Sequence, residues 1–278
     1  MTVSQLLTNG IAILGNAGVD NHENEARWIF ESVFGSRDIL IFDPEREADS
    51  GKSACFTEKI NQRASGVPVQ YVIGEGDFYG ESFDVGFGVL VPRPETEMLV
   101  DFALDFLKDI KSPVVYDLCA GSGCIGLTVA MHRSDATVYL LEKSPEAFVY
   151  LEKNKSRHKL TNANLIHGDL FDGFEAFGIP KPDLILSNPP YIESETIATL
   201  QSEVKLEPHM ALDGGEDGLV FYRALTEKWL PHCTGAIAVE CGEGQTAAIK
   251  NLFEKYCTDV SEQLDFNGIG RTVCGRKV

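Results

Sequence analysis

Val114-Val-Tyr-Asp117-Leu-Cys-Ala-Gly121-Ser-Gly123-Cys-Ile-Gly126 runs an apolar strand into a glycine turn and then into the start of a helix. Gly121 and Gly123 let the backbone pass close to a ligand, and the turn presents that ligand to a helix N-terminus. Read loosely this is G-x-G-x-x-G, a pattern that dinucleotide enzymes also carry. Outward from it the chain alternates strand and helix to its end. Strands are predicted at residues 113–118, 137–141, 163–167, 183–187 and 236–240, with two more near 260–264 and 271–274. Helices are predicted between them at 95–108, 123–131, 145–158, 217–229 and 244–256. Such alternation predicts an α/β fold, a Rossmann-like, mostly parallel seven-stranded sheet with helices on both faces.

The residues ahead of this region read differently. Over 25–34 the side chains of Ala26, Ile29, Phe30 and Val33 fall on one helical face, Ser36 can cap a helix at 38–42, and 56–64 reads as a short helix closed by Gly66 and Pro68. From 77 to 91 the apolar period switches to two, with Phe78, Tyr79, Phe83, Val85 and Phe87 among glycines, which predicts a β-hairpin. The expected organisation is a helical domain at 1–75, a hairpin linker at 76–92 and a catalytic domain at 93–278.

Composition narrows the function. A net charge of −18 argues against a protein that grips nucleic acid through phosphates, which needs clustered Lys and Arg. The seven cysteines are odd in number and form no Cys-x-x-Cys pair, so no metal site and no disulfide framework is expected. The first residues lack a basic leader, and no apolar run is long enough to span a bilayer. The expectation is a cytoplasmic protein, monomeric, with free thiols and no membrane attachment.

The strand ends carry the chemistry. Asp117 precedes the glycine turn Cys119-Ala120-Gly121-Ser122-Gly123; a carboxylate there would repel a pyrophosphate but welcome an ammonium. Glu142 ends the next predicted strand, where an acid can accept ribose hydroxyls. Asp169 follows the third strand, placed to meet an adenine amine, with Leu170 and Phe171 as apolar cover. Together these fit S-adenosylmethionine better than a nicotinamide dinucleotide. The fourth strand then runs into Asn188-Pro189-Pro190-Tyr191, beside the cofactor crevice. Two prolines fix a stiff loop with no N–H at either of their positions. Asn188 Oδ1 and the Pro189 carbonyl can accept both hydrogens of a planar –NH2 group while Tyr191 stacks on its plane. Glu95 and Glu97 begin a helix, where carboxylates are favoured in any case. Glu207 reads equally well as structural or functional, and Glu240 is expected to satisfy backbone groups.

With these residues placed, the chain resembles the HemK/PrmC family of protein-glutamine N5-methyltransferases. The resemblance spans nearly the whole chain. Before the catalytic domain it rests on Pro68-Val-Gln70-Tyr71-Val-Ile-Gly74 and Leu90-Val-Pro92-Arg93-Pro94-Glu95-Thr96-Glu97. Within it, the resemblance rests on the 117–126 turn, the Asn-Pro-Pro-Tyr tetrapeptide and the glycine-rich run 207–219. It implies a class I S-adenosyl-L-methionine-dependent methyltransferase acting on the glutamine of the Gly-Gly-Gln motif in class I peptide chain release factors, with the helical domain helping to dock that factor. It implies cofactor contacts from Asp117, Cys119, Ala120, Gly121, Ser122, Gly123, Glu142, Asp169, Leu170 and Asn188, and substrate contacts from Asn188, Pro189, Pro190 and Tyr191. The chain departs from the family pattern in Cys119 and Ala120, where glycine and threonine are usual, in Glu142, where aspartate is common, and in Gly270 before Arg271, where the family tends to carry an acid. The alternatives are a ribosomal-protein glutamine methyltransferase, an adenine-N6 methyltransferase on nucleic acid, and an adaptor that has lost turnover.

Overall fold

A computed structural model describes residues 1–277. The chain forms two compact units. One comprises Met1–Glu75 with Gln201–Leu206; the other comprises Gly76–Leu200 and the chain from Glu207 onward.

The first unit is helical: α1 (Val3–Asn16), α2 (His22–Phe34), α3 (Asp38–Phe42), α4 (Ser50–Ala64) and α5 (Val69–Ile73). Helix α1 was not among the sequence expectations, although its start is written as a capping box. Thr2 accepts from the Gln5 N–H at 3.3 Å while Gln5 Oε1 accepts from the Thr2 N–H at 3.1 Å. Val3, Leu6, Gly10 and Leu14 then face a core with Ile29, Phe30, Phe56 and Ile60. Inside this unit the buried Arg63 guanidinium pairs with Glu25 and also reaches Glu203 at 2.8 Å.

Apart from Glu75, the hairpin of β1 (Glu75–Phe78) and β2 (Glu81–Asp84) belongs to the second unit, and its Phe78 and Phe83 are buried in that unit's own core. Pro94–Thr96 forms a single 3₁₀ turn before α6 (Glu97–Leu107), so this helix begins later than the sequence pattern suggests. The sheet strands are β3 (Val114–Leu118), β4 (Thr137–Glu142), β5 (Ala163–His167), β6 (Leu184–Ser187), β7 (Ala236–Glu240), β8 (Asp259–Leu264) and β9 (Gly270–Arg276). They lie in the order β5-β4-β3-β6-β7-β9-β8, parallel except for β9, which runs antiparallel to β7 and β8. Helices α7 (Cys124–His132) and α8 (Pro145–Arg157) join α6 against one face. Between β6 and β7 lie the short α9 (His209–Leu212) and α10 (Val220–Ala224), and α11 (Thr246–Phe253) follows β7.

Side-chain alternation divides the sheet between two cores. Val115, Leu184, Leu186 and Ala238 point to the α6–α8 side, while Tyr116, Ile185, Ile237 and Val239 point to the side of α10 and α11. The single helix expected over 217–229 is instead α10 followed by a π-helical turn at Leu225–Trp229. That turn buries Trp229, whose indole N–H donates to the Leu170 carbonyl at 2.9 Å.

The third glycine of the turn has a packing role. A Cβ on Gly126 would lie 2.7 Å from Leu140 Cδ2 and 2.9 Å from Asp117 Oδ2, so α7 can sit this close to β3 and β4 only without a side chain there. Gly126→Ala should therefore destabilise the protein by about 2 kcal/mol, as overpacked cores do. Chemical denaturation of the purified variant checks this; unchanged stability would mean that α7 has room to move.

Candidate active site

The chain leaves the sheet at its centre. After β3 it builds outward through β4 and β5, then returns to place β6 on the other side of β3. A crevice opens at the carboxyl ends of strands where the order reverses in this way. The two loops that the sequence marked as functional therefore emerge side by side: the glycine turn from β3 and Asn-Pro-Pro-Tyr from β6. Ser187, the last residue of β6, joins them by donating its hydroxyl to the Leu118 carbonyl at 2.5 Å.

The turn is tight. Cys119 has φ +65°, a left-handed conformation that strains a residue bearing a Cβ. This departure from glycine is thus held at the entrance to the turn by its surroundings, among them the Ala120 N–H donating to Leu141 at 3.0 Å across the strands. Gly123, at φ +84°, then leads into α7. A cavity opens above. Of the cofactor residues named by the sequence, Cys119, Ala120, Gly121 and Ser122 form one wall and Glu142, Asp169 and Leu170 another. Asn188 and Pro190 line the cavity as well. Asp117, Gly123, Pro189 and Tyr191 are not on this cavity's walls.

Asp117 is fully buried behind the turn. Its Oδ2 accepts from the Gly126 N–H at 2.8 Å, while Oδ1 has no hydrogen-bond partner among the described residues. Burial pushes its pKa up to about 7, against the Gly126 hydrogen bond, with the nearby Glu142 charge adding to the rise. Glu142 accepts from the Gly121 and Ser144 N–H groups, each at 2.7 Å; burial raises its pKa and those bonds oppose it. The carboxylate thus ties the glycine turn to β4 and keeps spare lone pairs. Asp169 caps a 3₁₀ turn by accepting from the Phe171 N–H at 3.0 Å, and it pairs with Lys143 at 2.7 Å. Burial opposes its charge, yet Lys143 and the Phe171 N–H together hold the carboxyl below its ordinary range.

These walls fit S-adenosylmethionine. The buried, partnerless Asp117 oxygen stands behind a glycine wall, and a Cβ on Gly121 would meet only Val89, at 4.0 Å, so that wall is open toward the cavity. Leu141, Ala147 and Leu170 supply the apolar lining a purine needs.

One acid was misread from sequence, and another was left open between a structural and a functional role. Glu240 ends β7 and its side chain does not serve the backbone. It accepts from the hydroxyls of Thr96 and, at 3.3 Å, of Tyr191. Thr96 in turn accepts from Asn188 Nδ2 at 3.2 Å. Burial pushes Glu240 up to about 7, with those two hydroxyls opposing the rise. Glu207 pairs its buried carboxylate with Arg93, on the cavity wall, at 2.5 Å. The sequence shows Glu240 as the acid closing the apolar run of β7, but only the pairing of β7 with β6 brings it near the tetrapeptide.

Asp117 gives a pH signature. Its folded-state pKa lies above the unfolded value, so its contribution to ligand-free stability is full below about pH 4 and is lost as pH rises through about 7. Asp117→Asn removes that titration and keeps an acceptor for Gly126. The stability of the variant minus that of wild type should climb between pH 4 and 7, by at most about 1.4 kcal/mol per pH unit. Urea titrations across that range test it; a pH-independent difference would show that Asp117 is charged throughout.

Known proteins agree with this geometry. A family model of the PrmC N-terminal domain matches residues 5–74, and one of the methyltransferase small domain matches residues 96–249. A release factor glutamine methyltransferase of Caulobacter vibrioides is 37% identical over 270 residues, covering 95% of this chain and 92% of that protein. One from Thermodesulfovibrio yellowstonii is 36% identical over 260 residues, covering 91% of this chain and 92% of its own. A methyltransferase structure from Pyrococcus furiosus, 18% identical, superposes with a TM-score of 0.52 over 82% of this chain and 99% of that one, a likeness of fold alone. With both stretches recognised separately and the relatives aligned along nearly its full length, this chain belongs to the release factor glutamine methyltransferase family.

Proposed function

We propose that this protein transfers a methyl group from S-adenosylmethionine to the side-chain amide nitrogen of the glutamine in the Gly-Gly-Gln motif of class I peptide chain release factors. The observation that carries the reading is the orientation of Asn188. Its Nδ2 is engaged by Thr96 at 3.2 Å, which leaves Oδ1 as the acceptor for an incoming –NH2 group at the cavity wall.

When bound, the cofactor supplies an electrophilic methyl on a sulfonium sulfur. The chain's own residues do the rest. The Gly121–Ser122 backbone and the Asp117 carboxylate behind it favour the amino-acid end of the cofactor, whose ammonium suits that charge. Glu142 would hold the ribose hydroxyls, and Leu170 and Asp169 the adenine. An amide nitrogen is a weak nucleophile because its lone pair is delocalised into the carbonyl. Asn188 Oδ1 and the Pro189 carbonyl accept its two hydrogens and aim it. Those bonds strengthen as positive charge develops on nitrogen, and once the new N–C bond has formed one of the two protons passes to solvent. Positioning of this kind contributes about 7 kcal/mol or more. Tyr191, the last residue of the tetrapeptide, has its hydroxyl held by Glu240, which fixes the loop that carries Asn188.

The helical unit, Met1–Glu75, contributes to docking the factor. The net charge of −18 supports a protein rather than a nucleic-acid substrate. All seven cysteines are free thiols, which suits a reducing compartment such as the cytoplasm, and no helix among the described residues is long and apolar enough to cross a membrane.

Transfer of labelled methyl to a purified class I release factor, beside a Gly-Gly-Ala control, tests the substrate; label retained in the control would remove glutamine from the reading. Asn188→Ala should lower kcat by about 10³-fold while the cofactor Kd stays within about twofold of wild type. Cofactor affinity should also weaken as pH falls below about 7, because Asp117 must lose its proton to face an ammonium. Calorimetric titration between pH 6 and 8 shows whether this limb exists and whether Asp117→Asn abolishes it.

A further inference from the structure

We infer that Thr96 and Glu240 are positioning residues that hold the Asn188 amide one way round, so that the site presents an acceptor to its substrate and selects a carboxamide over a carboxylate. This rests on the glutamine reading above.

Hydrogen-bond bookkeeping at Thr96 carries the inference. A threonine hydroxyl has a single proton. Here that proton goes to Glu240 Oε2, and an ionised carboxylate can only accept. Thr96 Oγ1 therefore has only lone pairs to offer Asn188, whose side-chain nitrogen, not its oxygen, must face it, as the 3.2 Å contact has it. The opposite amide orientation would set two acceptors against each other. The other Glu240 oxygen accepts from Tyr191, so the same carboxylate fixes two members of the tetrapeptide, and the Tyr222 hydroxyl donates to the Glu240 carbonyl at 2.7 Å from behind. Thr96 and Glu240 are both buried, so water does not compete for these bonds. With Oδ1 turned toward the cavity, a glutamine –NH2 finds an acceptor, whereas a glutamate oxygen would meet another oxygen.

The relay works only with Glu240 ionised. Once protonated, Glu240 can donate to Thr96, which frees the threonine proton for Asn188 Oδ1 and turns the amide. Burial sets the titration near pH 7, with Glu95 raising it and Arg271 lowering it; Tyr191, Tyr222, Cys241 and Cys124 are the other titratable groups around the carboxylate.

The test compares Thr96→Val, Thr96→Ser and Glu240→Gln at saturating cofactor, which removes the effect of Asp117 on cofactor affinity. Thr96→Val, equal in shape, should lose about 10²-fold in kcat with an unchanged cofactor Kd. Thr96→Ser should stay within about threefold of wild type. Wild-type kcat should fall below about pH 7, and Glu240→Gln should be slow and flat between pH 6 and 8. The Asn188 side-chain ¹⁵N–¹H signals, assigned by their loss in Asn188→Asp, give a readout independent of substrate. They should shift with pH in wild type and change in Thr96→Val. Full kcat in Thr96→Val, or Asn188 signals identical in wild type and Thr96→Val, would overturn the relay. Wild-type protein that leaves the Gly-Gly-Gln glutamine unmethylated, with the Asn188 signals behaving as expected, would uphold the amide orientation and defeat the substrate reading alone.

Discussion

The pairing of β3 with β6 is the constraint on which the site depends. Val115, Tyr116 and Asp117 lie in register with Leu184, Ile185 and Leu186, although their segments are far apart in sequence. A parallel partner cannot be reached by a tight turn, so the chain must cross over, and it does so only after β4 and β5 have been laid on the other side. One consequence is a crevice above the sheet with a glycine turn on one lip and a proline-stiffened loop on the other. The Ser187–Leu118 hydrogen bond closes the seam beneath it.

Around that seam the protein keeps charge in places that burial disfavours. Asp117 and Glu240 are both enclosed, and for both the loss of water is the largest influence on titration. They are held differently. Glu240 is met by two hydroxyls and a distant guanidinium, whereas one oxygen of Asp117 has nothing to meet it. A buried acceptor left alone destabilises the ligand-free state, and a cation arriving nearby relieves it. The strained Cys119 at the same turn is a second local cost at the place where ligand contact is expected. Two departures from local preference, the lone Asp117 oxygen and the left-handed Cys119, thus meet at one turn.

Much of this was readable in advance because it is local. Apolar runs, glycines and prolines mark strand ends whatever the rest of the chain does, and the acids immediately after them inherit positions along one edge of the sheet. Helix α1 was missed although Thr2 and Gln5 spell its cap, because its residues were weighed as a leader and not as a helix. The segment 217–229 looked like a single amphipathic helix; burial of Trp229 against Leu170 is accompanied by a π turn that no periodicity reveals. Asp169 was read as placed to meet an adenine amine; its carboxylate lines the cavity and also makes a cap and an ion pair.

By itself, the sequence determined the α/β class, the cofactor crevice and the tetrapeptide, since each depends on residues close together in the chain. Tertiary structure alone decided how the tetrapeptide is oriented. The Asn188 amide is turned by Thr96, at the start of α6, and by Glu240, at the end of β7, residues brought together only by the order of the strands. The direction in which a hydrogen bond runs depends on every partner of both groups, and those partners come from three separate stretches of chain. No local pattern carries that information, and the fold supplies it.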